Sequence, residues 1–218
     1  MSEAFSSYQK YWTHIQSSLL RVKGELEKVR ESCQSLITLA SQMVNLPLKT
    51  KKLDVYILDA PAGEPINHKA IAYGPSLQVP FFILILHETT HVLVGEKIRV
   101  ASRKYTNDEH AEYIDEAIMN LITKSVLSCL NPASREELVQ TEKSIRRIAT
   151  GFLPHGEEEL KTEKGREALH RHDKRNRYIK YYVQTFETDW STLMKQNKDF
   201  HQLAIALLQR NADKIKHA

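Results

Sequence analysis

The sequence predicts an α+β fold that is predominantly α-helical, and three observations carry that expectation. Long stretches place apolar residues at helical spacing. Only 7 Gly and 7 Pro interrupt 218 residues, too few for an all-β chain that must turn about every ten residues. Just two short segments, flanked by turn residues, read as strands. With 41% hydrophobic and 27% charged residues, the chain has the material for a globular core.

The first segment, residues 1–46, repeats apolar residues at spacings of three and four: Phe5, Tyr8, Trp12, Ile15, Leu19, Val22, Leu26, Val29, Cys33, Leu36, Ala40 and Met43. That is a heptad seam. As one straight helix it would reach about 60 Å at ~1.5 Å per residue, longer than a domain of this size is wide. It must protrude, bend or fold back, and Gly24 is the natural place for a break. Such a seam suits a helix or helical hairpin packed on its own domain, or a homodimer contact through the N-terminal helix.

Residues 47–151 read as a core. Pro47 ends the seam, Leu53 to Leu58 forms a strand rich in β-branched and aromatic residues, and Ala60 to Pro65 is loop chemistry. A second strand spans His68 to Tyr73, stopped by Gly74-Pro75. Pro80 then opens a helix, apolar nearly all round and hence central, that stops around Gly95. Thr106-Asn107-Asp108-Glu109 has capping-box form and starts a helix running to about Leu130; Ser134 and Glu137 cap another that ends at Gly151. The C-terminal region, residues 152–218, reads as two or three helices from about Glu157, with polar breaks near Glu187 and Asn197, packed on the core.

Bulk chemistry excludes several classes. The net charge of +4 is spread along the chain and argues against nucleic acid as a general partner. The local exception is Arg171 to Arg177, followed by Tyr178, Lys180, Tyr181 and Tyr182, a basic run with aromatics that ordinarily forms a solvated helix face. Two isolated cysteines, Cys33 and Cys129, point to reduced thiols and a cytoplasmic location rather than a disulfide framework. Met1 to Gln9 lacks the order of a signal peptide, and the longest apolar run, Val79 to Leu86, is too short to span a bilayer.

Chemistry concentrates in His87-Glu88-Thr89-Thr90-His91. Imidazoles one helical turn apart project from the same face and can meet one tetrahedral zinc ion, Zn2+. Glu88 beside them can accept a proton from water that the metal has acidified. A nearly all-apolar helix would otherwise bury two imidazoles and a carboxylate without partners, at a cost of several kcal/mol. Zinc of this kind takes a third protein ligand. The helix after Thr106 offers Glu112 and Glu116 on one face with Asn120, and His110 is a further donor.

Together, the His87-to-His91 motif and Tyr113-Ile114-Asp115-Glu116-Ala117 resemble the two motif helices of the gluzincin metallopeptidases, over roughly Leu53 to Leu130. This resemblance implies a zincin-like core: a small two- or three-stranded sheet, a central metal-binding helix and flanking helices. It further implies that His87, His91 and Glu116 bind zinc, that Glu88 is the general base, and that an edge strand holds an extended peptide or protein substrate. Glu116 lies a little further from His91 than its counterpart in the best-known members, so Glu112 stays an alternative. Asn120 stands where some members have an Asp that orients the first histidine.

Amide hydrolysis also needs a donor for the developing oxyanion. Among His155, His170, His172, Tyr178 and Tyr181, the pair His172 and Tyr178 is preferred, with Asp173 available to orient an imidazole. Lys69 to Tyr73, if at the sheet edge, could take the substrate by strand addition. The expected activity is therefore that of a zinc-dependent peptidase. The competing expectation is a non-catalytic helical interaction module that binds a protein partner through the N-terminal heptad helix.

Overall fold

The computed structural model describes residues 2–47, 54–57, 63–66, 70–73, 81–129, 161–196 and 200–218, and these are predominantly helical. In chain order the elements are α1 (Ser2–Met43), β1 (Asp54–Ile57), β2 (Gly63–Ile66), β3 (Ala70–Tyr73), α2 (Phe81–Thr90), a π-helical turn (His91–Gly95), α3 (Glu96–Ser102), α4 (Asp108–Ser128), α5 (Glu163–Met194), α6 (Phe200–Arg210) and α7 (Ala212–Lys216). The expected helix from Ser134 to Gly151 lies outside the described residues.

Helix α1 is one continuous helix of 42 residues, so the break expected at Gly24 does not occur. A glycine costs a helix interior only about 1 kcal/mol relative to alanine, too little to interrupt so long a ladder. The helix ends instead at Asn45, whose φ of 50° puts it in the left-handed region. There the Leu46 N–H donates to the Ser41 carbonyl and the Asn45 N–H to the Gln42 carbonyl, each at 3.1 Å. This Schellman pattern satisfies carbonyls that a helix end otherwise strands.

The sheet has three strands in the order β1-β3-β2, with β1 parallel and β2 antiparallel to β3. Three strands fall within the two- or three-stranded sheet that the resemblance implies, but residue patterning picks out only two of them: Gly63–Ile66 falls in what reads as a loop, because Gly and Pro are poor strand formers that only an adjacent partner recruits. β3 occupies the centre. Hydrogen-bonded on both sides, it cannot accept the extended substrate that the sequence reading assigns to Lys69–Tyr73. The outer strands are β1 and β2, and Pro65 removes one donor from the latter.

Helix α2 does not stop at Gly95: a π turn carries it into α3. Helix α4 starts one residue later than the capping box suggests, since Asn107 is the N-cap and accepts from the His110 N–H at 2.9 Å. Thr162 caps α5 in the same manner, accepting from the Gly165 N–H at 3.0 Å, and α5 passes through Glu187 without a break.

Helix α4 is the hub. Ile114, Ala117, Ile118, Met119, Leu121, Ile122 and Val126 are buried around most of its circumference, and it packs against α1, α2, α3 and α5. One hydrophobic cluster joins these residues to Leu36 and Ala40 of α1 and Val44 just after it, Ile83, Leu84 and Leu86 of α2, Tyr182, Phe186 and Trp190 of α5, and Leu207 and Leu208 of α6. Each of the larger aliphatic side chains and Phe186 contributes about 1.5–3 kcal/mol by leaving water. Among the described side chains of α1, those that join this core lie in its C-terminal third, and on its N-terminal side Leu20 is 61% exposed. Both cysteines are free thiols, and among the described residues no helix is long and apolar enough to cross a membrane.

Two substitutions should move stability in opposite directions. A Cβ at Gly24 meets nothing within 4 Å, so Gly24→Ala should raise unfolding free energy by about 0.5–1 kcal/mol. Ile118→Ala, at the centre of α4, should cost about 2–5 kcal/mol. Urea unfolding followed by circular dichroism reads both changes.

Candidate metal centre

The second half of α2 carries its polar residues into the core. His87, Glu88, Thr89 and Thr90 are all buried. The Thr90 hydroxyl donates to the Leu86 carbonyl at 2.7 Å, so the helix itself satisfies that group. Histidines spaced by four residues then lie one above the other, facing α4.

His91 begins the π turn, whose wider register shifts the residues after it. Gly95 closes the turn where space is tight. A Cβ there would sit 3.4 Å from both Asp115 Oδ1 and His91 Nδ1. The α4 carboxylate and the second histidine thus both come within van der Waals reach of this position.

From α4, Glu116 meets both imidazoles. Its Oε2 lies 3.3 Å from His87 Nε2 and 3.6 Å from His91 Nε2, while the two Nε2 atoms are 3.1 Å apart. Zinc bonds of about 2.0–2.1 Å in tetrahedral array require ligand atoms about 3.3–3.4 Å from one another. The observed triangle has that size. His87, His91 and Glu116 are also the one His/Cys/Asp/Glu group among the described residues whose donor atoms converge as a metal site requires.

Orphaned polar atoms point the same way. Glu116 Oε2, His87 Nδ1 and Asn120 Oδ1 are buried without a hydrogen-bond partner among the described residues. Native cores rarely tolerate such groups, and an ion is one of the ordinary explanations. A cation against Oε2 would relieve the first, whereas His87 Nδ1 and Asn120 Oδ1 are not paired with one another.

Around this triangle the electrostatics are strongly biased. Burial pushes the Glu116 carboxyl up, but the imidazoles of His91 and His87 beside it outweigh burial and hold Glu116 well below the usual carboxylate range. Burial opposes a charge on His91 as well, yet Glu116 and Asp115 overcome it and raise that imidazole well above its ordinary value. His87 goes the other way, since burial dominates and lowers it. Asp115 is raised by burial, and its Oδ2 lies 3.4 Å from His91 Nδ1 and 3.4 Å from Arg99 Nε. A carboxylate behind a ligating histidine fixes its orientation and raises its basicity.

The remaining candidates make other contacts. Glu112 is half-exposed and paired with Arg175, away from the two imidazoles. His110 shares a hydrogen bond with the Tyr182 hydroxyl at 2.7 Å and packs edge-on against Tyr178. Tyr178 also stacks on Tyr113 with centroids 5.6 Å apart. His172 sits 3.6 Å from the Asp173 carboxylate. Tyr181 donates to the Lys214 carbonyl, His170 is exposed, and His155 lies outside the described residues.

Two residues of this neighbourhood escape a reading by motif. Asp115 is visible in the sequence only as the neighbour of Glu116. Arg175 of α5 places Nη2 2.8 Å from Glu116 Oε1 and Nη1 2.5 Å from Glu112. It belongs to the basic run expected to be a solvated face. The available signal is on α4: Glu109, Glu112 and Glu116 share one face and call for counter-charges, which Lys174 and Arg175 supply.

No protein-family model, curated protein or solved structure matches this chain.

A metal can bind His91 only in its neutral form. Because the carboxylates raise His91, zinc uptake near neutral pH should release a proton. Affinity should then fall as pH drops, with the loss beginning above the ordinary histidine value of about 6.5. Titration calorimetry in two buffers of different ionisation enthalpy should return different apparent binding enthalpies; equal values would contradict a charged His91.

Proposed function

We propose that the chain is a zinc-dependent hydrolase, a peptidase of the gluzincin kind acting on a peptide or a specific protein. The observation that carries this reading is the triangle of His87 Nε2, His91 Nε2 and Glu116 Oε2, with edges of 3.1, 3.3 and 3.6 Å, together with a buried Glu88 next to His87 in the chain. A purely structural zinc site closes all four positions with protein donors, whereas a catalytic one uses three and leaves the fourth open. Among the described residues, three protein donors converge here.

When bound, zinc supplies a Lewis acid that polarises a carbonyl and lowers the pKa of water towards neutrality. The residues of the chain provide the rest. His87, His91 and Glu116 hold the ion, and Asp115 fixes the ring of His91 through its far nitrogen. Glu88 takes a proton from the attacking water and delivers it to the leaving amine, the dual use expected of a carboxylate in such a site. His172 and Tyr178 are the donors proposed for the developing oxyanion. They lie on α5 at three residues on either side of Arg175, on the face that this arginine turns towards α4.

The basic run does not favour a nucleic-acid reading. Lys174 is paired with Glu109 at 2.8 Å, Arg175 with Glu112 and Glu116, and Arg171 with Glu167 at 3.7 Å. Those charges are spent within the protein, leaving less for phosphate.

Glu88→Gln separates the two halves of the mechanism. Zinc content should stay at the level of the unsubstituted chain, while hydrolysis of a degenerate peptide library falls by about 10²–10⁴-fold, the usual contribution of a general base. Turnover at the unsubstituted rate by a zinc-loaded E88Q chain would sink the assignment.

A further inference from the structure

We propose that Arg175 is a positioning residue for the metal centre: by engaging one oxygen of Glu116 it presents the other to the ion as a single-point ligand. This rests on the reading of His87, His91 and Glu116 as the zinc site.

The two oxygens of Glu116 have divided roles. Oε1 accepts from Arg175 Nη2 at 2.8 Å, whereas Oε2, which has no hydrogen-bond donor, lies between the two Nε2 atoms. An unrestrained carboxylate can rotate and grip a cation through both oxygens, which raises the coordination number and consumes the position a substrate needs. A guanidinium on Oε1 opposes that rotation. Its planar fork is suited to the task, because Nη1 is anchored on Glu112 one turn earlier on α4 while Nη2 serves Glu116. Arg175 is three-quarters covered, with 25% of its side chain exposed, so water screens the contact only in part.

The bland alternative is that Arg175 merely ties α5 to α4. Its neighbour provides the control, since Lys174 makes the same kind of interhelix tie to Glu109, at 2.8 Å, yet touches no ligand. Both ties should matter for stability. Only one should matter for the metal.

The experiment measures zinc affinity of the full chain by competition with a chromophoric chelator, together with thermal unfolding of the metal-free protein and the visible spectrum of the cobalt-loaded form. Arg175→Met should weaken zinc binding by about 10–100-fold, as loss of a partner behind a ligand does. Its cobalt spectrum should lose intensity as Glu116 becomes two-point and coordination rises. Lys174→Met should lower thermal stability but leave affinity and spectrum as they were. Arg175→Lys keeps the charge while losing the fork, and should give an intermediate loss of affinity; it decides the matter if Arg175→Met does not fold.

Unchanged zinc affinity in both Arg175 variants overturns the proposal, as does an equal loss in Lys174→Met. If the unsubstituted chain takes up no zinc at all, the reading of the metal site fails first, an outcome distinguishable from failure of Arg175 alone.

Discussion

The Glu116 carboxylate is the point on which the polar interior of this protein turns. It lies on α4, which packs against α1, α2, α3 and α5, and it faces the imidazoles of α2 and of the π turn on one oxygen and a guanidinium from α5 on the other. An isolated carboxylate at such a place would cost many kcal/mol. Its charge persists because partners from two other helices surround it. The same contacts that satisfy the carboxylate therefore also fix how α2, α4 and α5 sit against one another.

Packing and polarity support each other in a definite order. The apolar cluster of α1, α2, α4, α5 and α6 is large, and hydrophobic burial supplies its cohesion without specifying an angle or a register. The buried polar groups add the specification. Asp115 to His91, Glu116 to Arg175 and Glu109 to Lys174 each join a residue of α4 to one on a different segment. A slip of one residue along α4 would carry all three carboxylates off their partners at once.

Much of this was legible in the sequence, for a physical reason: the central features are local. Two histidines four apart share a helix face wherever that helix lies, and Glu116 shares a face with Glu112 and Asn120 by the same geometry. The helical majority followed from periodicity. What could not be read was tertiary or marginal. Arg175 meets Glu116 across 59 positions of sequence, and no spacing rule reaches so far. Strand β2 exists because β3 lies beside it, so Gly63-Glu64-Pro65-Ile66 gives no sign by itself, and its presence moves β3 from the edge to the centre. Gly24 and Glu187 were read as breaks; each is a local penalty of about 1 kcal/mol or less, which long helices absorb. The choice between Glu112 and Glu116 needed the fold, since both occupy the same face and only the approach of α2 and α5 tells them apart.

The π turn between α2 and α3 has a bearing on how such a chain can vary in length. A π turn holds one residue more than the α-helical turn it replaces, and each α-helical residue advances about 100° around the axis. Deleting one residue from within His91–Gly95 would let the segment close as an ordinary α-helical turn, in which four residues sweep nearly the same angle as five do in the π turn. Ile98 would keep its place in the core and Arg99 its approach to Asp115. The change would be confined to the turn itself, where Gly95 packs against Asp115 and His91. The surplus residue is thus slack taken up between two segments of one continuous rod, and this turn is where the rod can shorten by one residue without turning either end.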